Sequence, residues 1–335
     1  MTRRNPIAVV LAPAASACVL LLAGSALAQT APLPAEDPHA TARSARSVGG
    51  HAYSEFEYIE HPFVATRVTS RTGLGVAQFE LRGQPVPRLD LEGDLAQLDQ
   101  RFALGIAITE WLGLEVGVQG GAIAGVDYDA GLVIGANGFG GGRLSGVLRV
   151  VETDAFLLSL RVDVSAAAAA GISPARTVVP LLTGQQPPES RLRSPEFSGS
   201  RGTVGGSVTA VLTATEWLGF AGSFRADARR VELDDIEDDE GWLGGALGAS
   251  LNFGSLGVPL QILLGSRVSW SFADEIDDLA LSVIEPADEV VVEPELGFYY
   301  FDPKIPELEL GLSTSFAFSD DTRRGRVGLN LAYWF

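Results

Sequence analysis

The sequence predicts an all-β fold, an antiparallel transmembrane β-barrel of twelve strands. Its short turns lie at one end and its longer loops at the other. Three observations carry this. Bulky apolar residues alternate with small or polar ones, a period of two, through most of the chain. The alternating runs are about nine to thirteen residues long. Strands of water-soluble folds run about five or six residues, and tilted membrane strands need about nine to eleven. The connections between the runs alternate short and long, as they do when a chain passes up and down through a bilayer.

The first 28 residues specify an address. Arg3 and Arg4 precede the apolar run "IAVVLAPAASACVLLLAGSALA", which closes on Ala26-Leu27-Ala28. This is the pattern of a secretory signal peptide cleaved after Ala28. Cys18, in "ASAC", suggests lipid attachment, but a long apolar run follows it where a mature lipoprotein turns polar. The single Cys and single Met, Cys18 and Met1, leave with the signal, so the exported chain is stable without disulfides. The signal holds two of the 24 basic residues and none of the 42 acidic ones. The mature chain therefore carries 22 against 42, a formal charge of −20. That excludes nucleic acid as an expected partner.

Residues 29–64 hold Pro32, Pro34, Pro38 and Pro62 and have no clear period. All three histidines, His39, His51 and His61, are here. The segment reads as a flexible periplasmic arm rather than a plug or a metal site. No metal and no cofactor are expected.

Residues 65–335 form the barrel. In the first strand, within 65–82, Leu74 and Val76 are out of phase with Phe79 and Leu81, which suggests a bulge. In "RFALGIAIT", Phe102, Leu104, Ile106 and Ile108 face one way and Arg101, Ala103, Gly105, Ala107 and Thr109 the other. In "FLLSLRVDVS", Phe156, Leu158, Leu160, Val162 and Val164 oppose Ser159, Arg161, Asp163 and Ser165. Leu218, Phe220 and Phe224 oppose Ser223, Arg225, Asp227 and Arg229. Leu308, Leu310, Leu312, Phe316 and Phe318 oppose Glu307, Glu309, Gly311, Ser313 and Ser315. The last strand sets Val327, Leu329, Leu331, Tyr333 and Phe335 against Gly328, Asn330, Ala332 and Trp334.

Five connections are tight: "TEWLG" near 110 and again near 216, "ETD" near 153, "GSLG" near 255 and "DPKIP" near 304. Six are longer or more polar, at roughly 83–100, 125–139, 171–200, 231–241, 273–289 and 319–325. Eleven connections make twelve strands, with both ends of the barrel on the short-turn side. A β-sandwich would alternate too. Against it stand the length of the strands and a second face rich in Gly, Ala and Ser. Aromatics also sit where strands meet turns: Trp111, Phe156, Trp217, Trp242, Trp270, Tyr299, Tyr300, Tyr333 and Trp334. Rings at both interfaces form the girdle of a membrane barrel.

The signal peptide, the alternating strands and the closing "LNLAYWF" together resemble a Gram-negative outer-membrane β-barrel protein of the porin or transporter kind. The resemblance is architectural and points to no subfamily. It implies a place in the cell outer membrane, with outer-membrane lipid and lipopolysaccharide as surroundings. It also implies that Tyr333 and Phe335 act as the assembly signal read by the barrel-assembly machinery.

The residues expected to line the lumen are charged. Arg143, Arg149, Arg161, Arg225, Arg229 and Arg267 collect on one arc of the wall, with Asp163 and Asp227 beside them. Glu293, Glu295, Glu307 and Glu309 collect on another, and Glu115 lies on the third strand. Opposed charges across a wet lumen select solutes. The same charges bridging one another would fill a closed barrel, and a size of twelve strands does not decide between the two.

Two acidic stretches, 232–242 and 272–289, read as solvated outer loops, since neither has a cation-binding spacing such as D-x-D-x-D-G. The 171–200 loop, with Pro174, Pro180, Pro187, Pro188 and Pro195, is long enough to cover the lumen; an exposed loop explains it equally. The repeated "TEWLG" reads as one good turn used twice rather than a duplication. No catalytic group is expected: no histidine follows His61, and no cysteine remains. The function expected is passage of small polar solutes; the alternative is a non-conducting structural or adhesive barrel that binds partners through its outer loops.

Overall fold

A computed structural model describes residues 46–82, 90–127, 132–172, 196–233, 236–273, 290–302, 305–318 and 322–335. The expectations about the signal peptide, His39, the proline-rich loop at 173–195 and the acidic residues 274–289 fall outside these. Twelve antiparallel strands close into one barrel: β3 (Arg67–Arg82), β4 (Asp90–Ala107), β5 (Leu112–Asp127), β6 (Leu132–Glu152), β7 (Phe156–Ile172), β8 (Glu196–Thr215), β9 (Leu218–Leu233), β10 (Ile236–Asn252), β11 (Leu260–Ala273), β12 (Val290–Asp302), β13 (Ile305–Phe318) and β14 (Thr322–Trp334). Each pairs with its sequence neighbours, and β14 pairs with β3, so no strand edge is left open. Ahead of the barrel, β1 (Ser47–Val48) and β2 (His51–Ala52) make a small hairpin.

The outward face is apolar all the way round. Leu74 and Val76 on β3, Phe224 on β9, Leu247 on β10 and Leu329 on β14 each expose more than half their surface. Leaving so much apolar surface in water would cost roughly 25 cal/mol per Å². A lipid environment removes that cost, and closure satisfies the backbone within it.

The short turns are built alike. In the first "TEWLG", the Thr109 hydroxyl accepts from the Leu112 N–H at 3.0 Å; in the second, Thr215 accepts from Leu218 at 3.1 Å. The unrelated "TDAF" turn does the same, Thr153 accepting from Phe156 at 3.1 Å. Three turns sharing one hydrogen bond explain the repeat by turn geometry.

Four details differ from the sequence reading. The strands are longer, from 13 residues in β12 and β14 to 21 in β6, more than the roughly nine to eleven that a tilted crossing needs. The acidic stretch 232–242 is therefore mostly strand, since β9 ends at Leu233 and β10 begins at Ile236. There is no bulge in β3: its register with β4 and β14 is continuous from Arg67 to Phe79. Three rings assigned to the girdle point inward. Tyr299 and Trp334 are fully buried, and Trp242 lies under the guanidiniums of Arg229 and Arg267. Trp111, Trp217, Trp270, Tyr300 and Tyr333 do face outward.

The largest difference concerns the N-terminal segment. Residues 46–66 are not an arm outside the barrel; they fold into its lumen at the short-turn end. Val48, Tyr53, Phe56, Ile59 and Phe63 form a cluster with Leu157, Val211, Ala221, Ala246, Leu263 and Tyr299 of the wall. Five apolar side chains that would meet water in an arm are buried here instead, each worth roughly 1.5–3 kcal/mol.

Candidate functional site: a plugged lumen

The hairpin β1–β2 starts the plug. Its two-residue turn, Gly49-Gly50, has φ of 57° and 81°, a conformation that glycine adopts without strain. Thr213 on β8 donates to the Val48 carbonyl at 2.7 Å, and the Tyr53 hydroxyl meets Thr213 at 3.0 Å. The His51 ring bridges the Glu216 carbonyl at 3.1 Å and the Ser250 hydroxyl at 2.9 Å. Beyond it Ser54 donates to Gln261 at 2.5 Å, and Gln261 donates back to the Ala52 carbonyl at 2.7 Å. The seat is cut from glycines. A Cβ at Gly248 would run into the Phe56 ring, and one at Gly219 would lie 2.6 Å from the Tyr53 hydroxyl.

Four charges of the segment reach wall partners. Arg46 pairs with Glu309, and Glu55 with Arg67. Glu57 pairs with Arg326 and, at 3.2 Å, with Arg71. Arg326 also holds Asp99, with its Nη2 at 2.5 Å. Glu60 meets three guanidiniums: Arg143 and Arg225, both at 2.8 Å on Oε1, and Arg161 at 3.7 Å on Oε2.

The wall around Glu60 is laid out in rows by the register. One row crosses the sheet as Val147, Arg161, Ser207, Arg225 and Gly244. The next is Glu115, Ser145, Asp163, Gly205 and Asp227. The third is Gly117, Arg143, Ser165, Thr203 and Arg229. Basic, acidic and basic rows thus alternate along the barrel axis. Asp163 accepts from Arg143 at 3.0 Å and Arg225 at 2.8 Å; Glu115 accepts from Arg161 and Arg67, both at 2.8 Å. Gly205 leaves room for the Asp227 carboxylate, which accepts from Arg225 at 2.9 Å.

The plug's own titratable groups feel this field; the segment does not itself span the membrane. Burial alone would raise the Glu60 pKa, but Arg143, Arg161 and Arg225 carry it down to about 2. Burial, reinforced by Arg67 and Arg161, holds His61 well below its ordinary value, and burial also lowers His51.

The structure gathers some of the expected lumen residues and scatters others. Arg143, Arg161, Arg225, Asp163, Asp227 and Glu115 belong to one network, with Arg229 3.9 Å from Asp227. Arg267 pairs with Glu293 on the adjacent strand and stacks over Tyr58 at 4.3 Å. Glu295 accepts the Glu57 backbone N–H at 2.7 Å. Glu309 holds Arg46, and Glu307 lies one inward position nearer the turn. Arg149 pairs with Glu152 at the rim rather than on a solute path. The picture of an arginine arc facing a glutamate arc across open space does not hold. Plug side chains stand between the arcs, and Arg71 and Arg326, beside the glutamates, break the segregation. Arg67, Arg71, Arg326, Asp99 and all the plug residues were missed, although Arg326 and Arg71 sit in phase with the inward face of their strands.

No family model matches the chain, and no curated protein matches it by sequence. Solved structures match its shape. The translocator domain of the autotransporter NalP from Neisseria meningitidis has a TM-score of 0.55 at 13% identity, covering 83% of this chain and 90% of that one. The COG4313 outer membrane channel from Pseudomonas putida F1 has a TM-score of 0.51 at 12% identity, covering 84% and 100%. The transport unit of the autotransporter AIDA-I from Escherichia coli has a TM-score of 0.50 at 10% identity, covering 89% and 97%. At such identities the likeness is one of fold: the chain is a closed barrel of the outer-membrane kind.

Proposed function

We propose that this outer-membrane barrel is a gated conduit for small polar solutes, closed at rest by residues 46–66. One observation supports the reading above others: the material that blocks the lumen is not the wall. The inner wall carries small and charged side chains with a few bulky apolar ones such as Leu157 and Leu263, and its glycines accept a separate segment that enters from the short-turn end. A segment held at one end and seated by ion pairs can leave without unfolding the barrel, because the strands keep every backbone pairing they have. The similarity in fold to an outer membrane channel agrees with this.

The apolar cluster around Phe56 favours a second reading, in which the plug is permanent and the outer loops bind partners. Planar-bilayer recordings separate the two. A conduit shows rare wild-type openings that become frequent in the double variant Glu57→Gln/Glu60→Gln, which weakens two anchors and leaves the wall intact. Silence in both proteins would sink the conduit and leave the loop-binding barrel.

A further inference from the structure

The site around Glu60 is a carboxylate receptor whose present occupant belongs to the chain itself. Two guanidiniums converge on one oxygen and a third stands by the other, an arrangement suited to carboxylate rather than to a neutral group. The receptor does not depend on its occupant for its shape. Asp163 ties Arg143 to Arg225, and Glu115 ties down Arg161, all from side chains rooted in strands. With Arg67, these four arginines stand against three wall acids: Glu115, Asp163 and Asp227. An emptied seat therefore leans positive although the whole chain is strongly acidic.

The receptor also offers more donors than Glu60 uses. The hydroxyls of Ser145 and Ser207, and Nε of Arg143 and of Arg161, are buried and find no hydrogen-bond partner among the described residues. Ser207 lies between Arg161 and Arg225 in its register row, and Ser145 beside Asp163 in the next. Buried donors without acceptors are costly, about 1–3 kcal/mol each, and mark a place where a ligand oxygen would be welcome.

We propose that Arg143, Arg161 and Arg225 form a binding site for small carboxylates arriving from the outer side, and that Glu60 is a tethered substitute which such a solute displaces. The proposal rests on the reading of the lumen as a gated conduit and names its ligand class. Ser145 and Ser207 give the site room for a ligand oxygen beyond the first carboxylate.

The test uses the full mature chain in detergent and in planar bilayers, with acetate and succinate as probes and chloride and nitrate at equal ionic strength as controls. In titration calorimetry Glu60→Gln binds succinate roughly tenfold more tightly than wild type, because the tethered competitor is gone. Arg225→Gln in the Glu60→Gln background abolishes that binding, and Arg225→Lys, which keeps the charge but not the fork, weakens it. Retained heat-dependent gel mobility shows that each variant is folded. Should Arg225→Gln not fold, Arg225→Lys alone carries the comparison. In bilayers, succinate on the outer side raises the wild-type opening frequency and chloride does not. If Glu60→Gln binds succinate no better than nitrate, the receptor proposal is overturned, even where the variant conducts. If it binds succinate yet no variant ever conducts, the receptor stands and the conduit falls.

Discussion

The ring of Phe56 fills the space where a side chain at position 248 would begin. A Cβ built on Gly248 overlaps that ring, and Gly265 beside it would carry its own Cβ 3.4 Å from the same ring. Phe56 belongs to the plug and Gly248 to β10, so one contact couples a wall position to the closed state. Gly248→Leu should expel Phe56 without harming the strand, since its side chain points into the lumen. The expected outcome is a barrel with normal heat-dependent mobility and a plug that proteases reach from the short-turn end. A Gly248→Leu protein whose plug stays protected would show that Phe56 is not the key to the seat.

Trp334 ties the plug to the strand that closes the barrel. It is fully buried, its ring centroid 4.9 Å from that of His61, with the Arg67 guanidinium 5.3 Å from its ring centroid. Trp334→Ala should destabilise the closed state by about 3–5 kcal/mol, the usual cost of emptying such a volume. Urea titration followed by gel mobility reports it. A midpoint within error of wild type would mean that the plug leans elsewhere.

The inside and outside of β7 can be told apart by one residue of sequence. Leu160 is exposed on the lipid face, and Arg161 beside it is buried in the lumen and paired with Glu115. Leu160→Arg should cost roughly 2–4 kcal/mol near the midplane and lower assembly. Arg161→Gln should keep the barrel and loosen the plug, leaving Glu115 with Arg67 as its remaining guanidinium. Yield in the outer membrane measures the first, and conductance the second. Harmless Leu160→Arg with failed assembly of Arg161→Gln would invert the assignment of faces.

Acid should release the plug in two windows. His51 and His61 are held neutral by burial, their pKa values lowered in the docked state. Below their ordinary value near 6.5, a released segment binds protons that the docked one refuses, so docking weakens as the pH falls from there. Glu60 adds a second loss: its docked pKa of about 2 lies below the released value of 4.5, and its contribution fades as the pH falls between them. Opening frequency recorded against pH should rise first below about 6.5. The double variant His51→Gln/His61→Phe should flatten that first rise and keep the second. A first rise that persists in it would assign the effect to other groups.

The strands, their number and the side they show to lipid were legible in the residues, because a period of two in a chain too apolar for water has few other solutions. Leu160 out and Arg161 in follows from alternation alone, and so do the five tight turns. The plug was not legible in that way. Residues 46–64 have no period, since a segment packed in a lumen makes contacts dictated by the wall around it rather than by its own backbone. Two signs were present: the Gly49-Gly50 pair, a hairpin turn, and bulky residues such as Leu157, Leu263 and Trp334 on the inward face. The pairing of Glu60 with Arg143, Arg161 and Arg225 had no sign at all, because it joins a loose segment to three strands remote in sequence. Alternation fixes which way a side chain points, and it fixes it locally. Which charges meet inside depends on register around a closed circle and on what fills the middle, and only the folded barrel brings those together.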